Sequence, residues 1–213
     1  MELIFYLTNN CNLKCKYCYE GEKNNHIIDF NIIKKMMTKE CEADEKVSKV
    51  SFFGGEPLLQ KQIIYDTVKL GNELTAKTNH KYIYSVTTNA TLIDDKFIEF
   101  CKKNKITVGI SIDGDEPTHN LNRRTGTDTG SFGKVLENTK NCISKKLNII
   151  ALPVVSTNNV KYLSKNVQYL VGLGFDKITL NFNYSDKWND ELIEVFKNEI
   201  KKVSQYYYDE FKK

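Results

Sequence analysis

Six times along the chain, a short run rich in Val, Ile, Phe, Tyr and Thr is followed by a longer segment whose apolar residues recur at helical spacing. The extended runs occupy 3–7, 49–53, 81–87, 107–112, 148–155 and 177–181. The helical segments occupy 30–43, 60–75, 94–104, 131–145, 160–173 and 190–211, with Ser131 placed to cap one and Gly174 to stop another. Strands that alternate with helices of this length pair in parallel, with the crossovers packed outside the sheet. Six such units build either an open doubly wound sheet or a partial barrel, and periodicity does not choose between them. In both, the loops at the carboxyl ends of the strands are the place for function. Only three prolines occur, and neither a low-complexity stretch nor a linker interrupts the rhythm, so one domain over 1–213 is expected.

Composition narrows the function classes. A net charge of +4 is carried by lysines spread along the chain, not gathered into the basic face that nucleic acid requires. No apolar stretch approaches the ~20 residues that span a bilayer, and the first residues, Met1-Glu2-Leu3-Ile4-Phe5, read as a strand rather than a secretion signal. A cytoplasmic protein is expected. Its six cysteines are then metal ligands or free thiols rather than disulfides.

Three of them lie together. Cys11-Asn12-Leu13-Lys14-Cys15-Lys16-Tyr17-Cys18 follows the first strand with the spacing C-x-x-x-C-x-x-C. Three soft thiolates this close can converge on one inorganic centre. A structural zinc site and a fully ligated 4Fe–4S cluster each want four protein ligands. A trio leaves one iron free to take the amine and carboxylate of a small molecule. The alternatives are a zinc site completed by His26 or Cys41, or three inert core thiols, which Asn12, Lys14 and Lys16 make too polar to credit.

Further motifs end later strands. Gly54-Gly55-Glu56-Pro57 follows the second, with two glycines that permit close backbone approach and a carboxylate suited to an ammonium group. A plain Gly-Gly turn is the alternative. Thr87-Thr88-Asn89-Ala90-Thr91 ends the third, and Ser111-Ile112-Asp113-Gly114 the fourth. His119, Asn120, Arg123 and Gly130-Ser131-Phe132 come after it.

These motifs together resemble the radical S-adenosylmethionine (SAM) superfamily, and within it the core domain of SPASM-type, sulfatase-maturase-like enzymes that modify peptides and proteins. The resemblance runs from Leu3 to about Phe182. It implies a partial (β/α)6 barrel of parallel strands with outer helices, a 4Fe–4S cluster on Cys11, Cys15 and Cys18, and reductive cleavage of SAM to abstract hydrogen from a substrate. It also implies SAM contacts from Tyr17, Gly54, Gly55, Glu56, Asn89, Ser111, Arg123 and Leu180. Tyr17 would lie beside adenine, Glu56 near the methionyl amine, Ser111 and Arg123 at hydroxyl and carboxylate groups, and Leu180 against adenine. Implied partners are an external flavodoxin- or ferredoxin-like one-electron donor and a peptide or protein substrate, with no nucleic acid and no membrane. A glycyl-radical activase and a non-catalytic Fe–S or zinc module are the competing functions. Ala90 departs from the family's usual glycine. No cysteine follows Cys142, so the auxiliary-cluster domain common in such relatives is expected to be absent. Asp113 reads as a turn cap, His119 as substrate-facing or structural, His26 and His80 as surface residues, and Cys41, Cys101 and Cys142 as small buried side chains.

Overall fold

In a computed structural model describing residues 1–21, 23–42 and 46–212, the strands pair in the order they leave the chain. The sheet runs β1 (Glu2–Tyr6), β2 (Val47–Phe53), β3 (Lys81–Thr88), β4 (Thr107–Ile110) and β5 (Ile149–Ala151), every neighbour parallel. Because the order never reverses, the sheet winds in one direction. That selects the partial barrel over the doubly wound alternative.

The fifth expected strand is interrupted. After Leu152, whose N–H still donates to Ile110 O (2.8 Å), Pro153 has no N–H to give. The chain resumes as β6 (Val154–Val155), which pairs in parallel with β7 (Asn181–Phe182). Along the sixth strand, Thr179, Asn181 and Asn183 donate in turn to Ala151, Pro153 and Val155, each at 2.9 Å. The two pieces thus carry the arc to a sixth strand.

Helices cover one face. They are α1 (Phe30–Glu40), α2 (Lys61–Thr78), α3 (Asp95–Lys103), α4 (Glu116–Asn122), α5 (Phe132–Ser144), α6 (Leu163–Leu173) and α7 (Asp190–Phe211). Strand alternation sends Leu3, Phe5, Val50, Phe52, Tyr84 and Val86 into the core beneath them, while Ile4, Tyr6, Val47 and Ile83 are exposed on the other face. Of the apolar stripe on α1, Ile33 and Met37 are buried, whereas Ile32 and Met36 face outward. Residue 43, the expected end of that helix, lies outside the described residues.

Helix α4 was not expected. Asp115 caps it by accepting from Thr118 N, and Pro117 sits in its first turn, a start signal legible in the sequence. His80 is buried rather than on the surface. Its Nε2 bonds Ser48, whose hydroxyl donates to Glu40, and its Nδ1 has no partner. Cys101 and Cys142 are buried as expected, whereas Cys41 is half-buried just past α1, against Tyr82 OH at 3.0 Å. Among the described residues, no helix is long and apolar enough to cross a membrane.

Candidate active site at the carboxyl ends of the strands

The first strand ends in a loop that returns to its own root. Thr8 bridges Ile27, Ile28 N donates to Leu7 O (3.0 Å) and Asn9 N donates to His26 O (3.3 Å). The loop's middle is stitched to the segment after α4, Lys14 N to Arg124 O (2.7 Å) and Lys16 N to Asn122 O (2.9 Å). Extended backbone there puts Lys14 and Lys16 in solvent and turns Cys15, between them, toward Arg123.

Cys11, Cys15 and Cys18 are half-buried free thiols. Burial pushes the Cys15 thiol up, Arg123 opposes this, and Cys11 and Cys18 both add to it, so the three sulfurs share one electrostatic neighbourhood. Burial also raises Cys11, against the Leu13 N–H and Lys23. Cys11 Sγ accepts from Leu13 N (3.4 Å) and from Asn89 Nδ2 (3.7 Å). Among the described residues, no three His, Cys, Asp or Glu side chains are gathered for a single metal ion. Three sulfurs on one loop, with N–H donors on one and a guanidinium beside another, fit an iron–sulfur cluster, whose iron would hold the thiols deprotonated. Cys41 cannot complete a fourth corner, because it packs on Tyr82 at the amino end of β3 while the trio follows the carboxyl end of β1. His26 is exposed and lines an open groove of about 500 Å³ with Tyr6, Asn9, Tyr19, Glu20 and Ile28.

The glycines after β2 approach this loop rather than open space. A Cβ at Gly54, whose φ is +126°, would lie 2.4 Å from Thr8 O, and one at Gly55 would lie 2.3 Å from Asn10 O. The closeness permits two backbone bonds, Gly55 N to Thr8 O (2.7 Å) and Glu56 N to Asn10 O (2.8 Å). Tyr19, which sequence reasoning passed over although it adjoins Cys18, adds a third tie. Its hydroxyl donates to Gly54 O (2.7 Å) and its ring stacks on Phe53.

Glu56 is fully buried, and its carboxylate serves the protein. It accepts from Leu58 N (2.9 Å), Thr88 Oγ1 (2.6 Å) and Asn89 N (2.7 Å). Burial pushes its pKa up against those three bonds. The expected ammonium partner therefore meets a carboxylate already committed to tying β2 to β3. Asn89, so held, reaches the cysteine loop through Asn12 Oδ1 (2.9 Å) as well as Cys11. Ala90 takes the left-handed backbone, φ +63°, that the resemblance assigns to glycine.

A second cluster lies past β4. Asp113 is no turn cap: Oδ1 accepts from Arg123 Nε (3.0 Å) and Val154 N (3.1 Å), and Oδ2 accepts from Tyr17 OH. The Arg123 guanidinium sits over the Tyr17 ring, 5.3 Å from its centroid. His119 is buried and structural. Ser131 donates its hydroxyl proton to Arg123 O (2.9 Å), so His119 Nε2–H donates to Ser131 (2.9 Å) and Nδ1 accepts from Asp113 N. Ser131 occupies the cap position of α5 without capping it. Ser111, half-buried, is anchored by its N–H to Thr88 O (2.9 Å), and its hydroxyl bonds no described residue. Leu180 packs in a separate apolar cluster with Val155, Val160 and Leu163. The structure thus gathers Tyr17, Gly54, Gly55, Asn89 and Arg123 around the cysteines, and leaves Leu180 with the sixth strand.

Known proteins resemble this chain in sequence and in fold. The chain is 35% identical over 212 residues to the Methanocaldococcus jannaschii protein MJ0907, spanning 96% of this chain and 71% of that one. It is 31% identical over 177 residues to a cysteine-type anaerobic sulfatase-maturating enzyme of Clostridium perfringens, spanning 78% and 47%. The solved structure of native anSMEcpe with bound AdoMet and Cp18Cys peptide matches with a TM-score of 0.87 at 26% identity, over 99% of this chain and 60% of that one. The chain therefore spans about half of that curated maturase and three fifths of that structure. The Radical SAM superfamily pattern matches residues 5–170. On the strength of that match and of these relatives, the chain belongs to the radical SAM superfamily.

Proposed function

We propose that this chain holds a 4Fe–4S cluster on Cys11, Cys15 and Cys18, cleaves SAM reductively and abstracts hydrogen from a peptide or protein substrate in the cytoplasm. The observation that carries the reading is the convergence on one loop. Three free thiols, the Gly54-Gly55 backbone, Asn89 and Arg123 meet at the carboxyl ends of β1 to β4. Held by Cys11, Cys15 and Cys18, the cluster would supply the one-electron reduction that breaks a sulfonium C–S bond of SAM and so the means to abstract a hydrogen atom from the substrate.

The chain's own residues bind and orient. Lys23 and Arg123 place positive charge beside Cys11 and Cys15, which offsets part of the burial that raises both thiols. The Asn89 amide and the Leu13 N–H donate to the Cys11 sulfur, a contact of the kind that tunes cluster potential. Arg123 presents a planar fork suited to a carboxylate, and Ser111, at the end of β4, offers a hydroxyl that bonds no described residue. Tyr17 supplies a flat surface for the nucleoside part, and the Gly54-Gly55 backbone holds the cysteine loop in place. The electron comes from an external flavodoxin- or ferredoxin-like donor.

The substrate class rests on likeness. The sulfatase-maturating relative and the peptide-bound structure support a peptide or protein. A Clostridium perfringens GTP 3',8-cyclase, 28% identical over 218 residues, supports a nucleotide as the competing substrate class. Anaerobic reconstitution with iron and sulfide, then SAM and dithionite, tests the chemistry. 5′-Deoxyadenosine should form, and Cys15→Ala should abolish it. Equal product from both proteins, or a colourless protein loaded with zinc, sinks the reading.

A further inference from the structure

We propose that Asp113 is a positioning residue for SAM, holding Arg123 and Tyr17 as one unit so that the guanidinium fork faces the ligand from a fixed place beside Cys15. The inference rests on the reading of the site as a SAM pocket and adds a residue that neither the motifs nor the family resemblance put in contact with the ligand.

Both Asp113 oxygens are spent on protein donors, and the donors come from three distant parts of the chain. Tyr17 lies on the cysteine loop, Arg123 at the end of α4, and Val154 opens β6. A carboxylate that is 2% exposed, with both oxygens already bonded to protein donors, is closed to a ligand. What it controls is its partners. Arg123 spends Nε on Asp113, and its terminal amino groups bond no other described residue. The hydrogen bond therefore fixes which edge of the guanidinium is left for another partner, near enough to Cys15 for the thiol to feel its charge. The Tyr17 ring beneath the guanidinium limits its tilt, and the same carboxylate fixes that ring through its hydroxyl. The cation that would meet the methionyl carboxylate and the aromatic residue between two cysteines are thus referenced to a single atom group. A third bond, from the Val154 N–H, ties that group to the sixth-strand side of the barrel. Pre-set geometry of this kind lowers the cost of ordering when a ligand binds.

The test compares reconstituted wild type, Asp113→Asn, Tyr17→Phe and the double variant. It uses steady-state 5′-deoxyadenosine formation with dithionite and titrates SAM into the reduced cluster by electron paramagnetic resonance. Asp113→Asn should raise KM for SAM about tenfold to a hundredfold, the size of a lost charge-assisted hydrogen bond, with a smaller change in kcat. The SAM concentration that half-converts the spectrum should shift by the same factor. Tyr17→Phe should raise KM by itself, and should add little in the Asp113→Asn background, because the two residues act through one contact. A wild-type KM and spectral titration in Asp113→Asn overturns the proposal even if that variant melts earlier. So do single-variant effects that multiply fully. Should Asp113→Asn fail to fold, Tyr17→Phe decides alone, and an unchanged KM refutes the idea. If wild type shows neither product nor a SAM-dependent spectrum, the SAM reading itself falls, which is a separate result.

Discussion

At position 55 a methyl group would sit 2.3 Å from a backbone oxygen of Asn10, and neither backbone can yield without breaking the bonds that hold the cysteine loop. Gly55→Ala should lower unfolding stability by roughly 1–3 kcal/mol, as overpacking does. Gly172→Ala is the control: nothing lies within 4 Å of its Cβ in α6, and it should gain roughly 0.5–1 kcal/mol. Urea melts of both check this, and a wild-type midpoint for Gly55→Ala would refute the clamp. The Gly-Gly pair was legible in the sequence, but what it approaches was not. Glycine advertises a close contact without naming the partner, and here the partner is the chain itself. The same holds for Glu56 and Asp113. Each reads as a carboxylate on offer or a turn cap, and each proves to be bonded through both oxygens to residues well away in sequence.

Among the elements, β3 and α2 meet over a mismatch. The Tyr84 hydroxyl is buried without a hydrogen-bond partner among the described residues, and Gly71 on α2 leaves the space it fills, for a Cβ there would lie 1.8 Å away. Tyr84→Phe removes an unsatisfied polar atom and keeps the ring, so stability should rise by about 1 kcal/mol. Thermal melts test it, and a loss would mean that the hydroxyl has found water. Element positions were largely legible, since the alternation of extended and helical runs places the first four strands within two residues of their observed bounds, whereas the sixth, expected at 177–181, pairs as a ladder only at Asn181–Phe182. Two features escaped. Helix α4 is 7 residues long, too short for periodicity to show, although Asp115-Glu116-Pro117 signalled its start. Pro153 inside an apparent strand signalled the break between β5 and β6, because it removes a ladder donor.

Across the whole molecule, one large apolar core lies under the five-stranded sheet, and a smaller one joins α6, α7 and the sixth strand, where Glu199 accepts from Ser164 N and Oγ. The pH limit of this assembly should be set in part by His119. Burial holds it down at about 4 against the usual 6.5, with Arg123 helping and Asp113 opposing. Between those values the unfolded chain binds the proton and the native protein does not, so stability falls as pH drops through that window. From pH 7 to 5 the loss traceable to this group should be roughly 2 kcal/mol. His119→Gln should flatten that part of the curve in urea melts at the two pH values. An unchanged slope would place the acid sensitivity elsewhere.

The sequence by itself determined the family, the parallel α/β class and the three sulfur ligands expected of the loop, because periodicity and motif spacing are local properties written along the chain. Tertiary structure alone decided the direction in which the sheet winds, the burial of Glu56 and the place of Asp113 at the meeting of three distant segments. Those depend on which strands become neighbours and on which polar groups find partners once water is gone, and no local pattern records either.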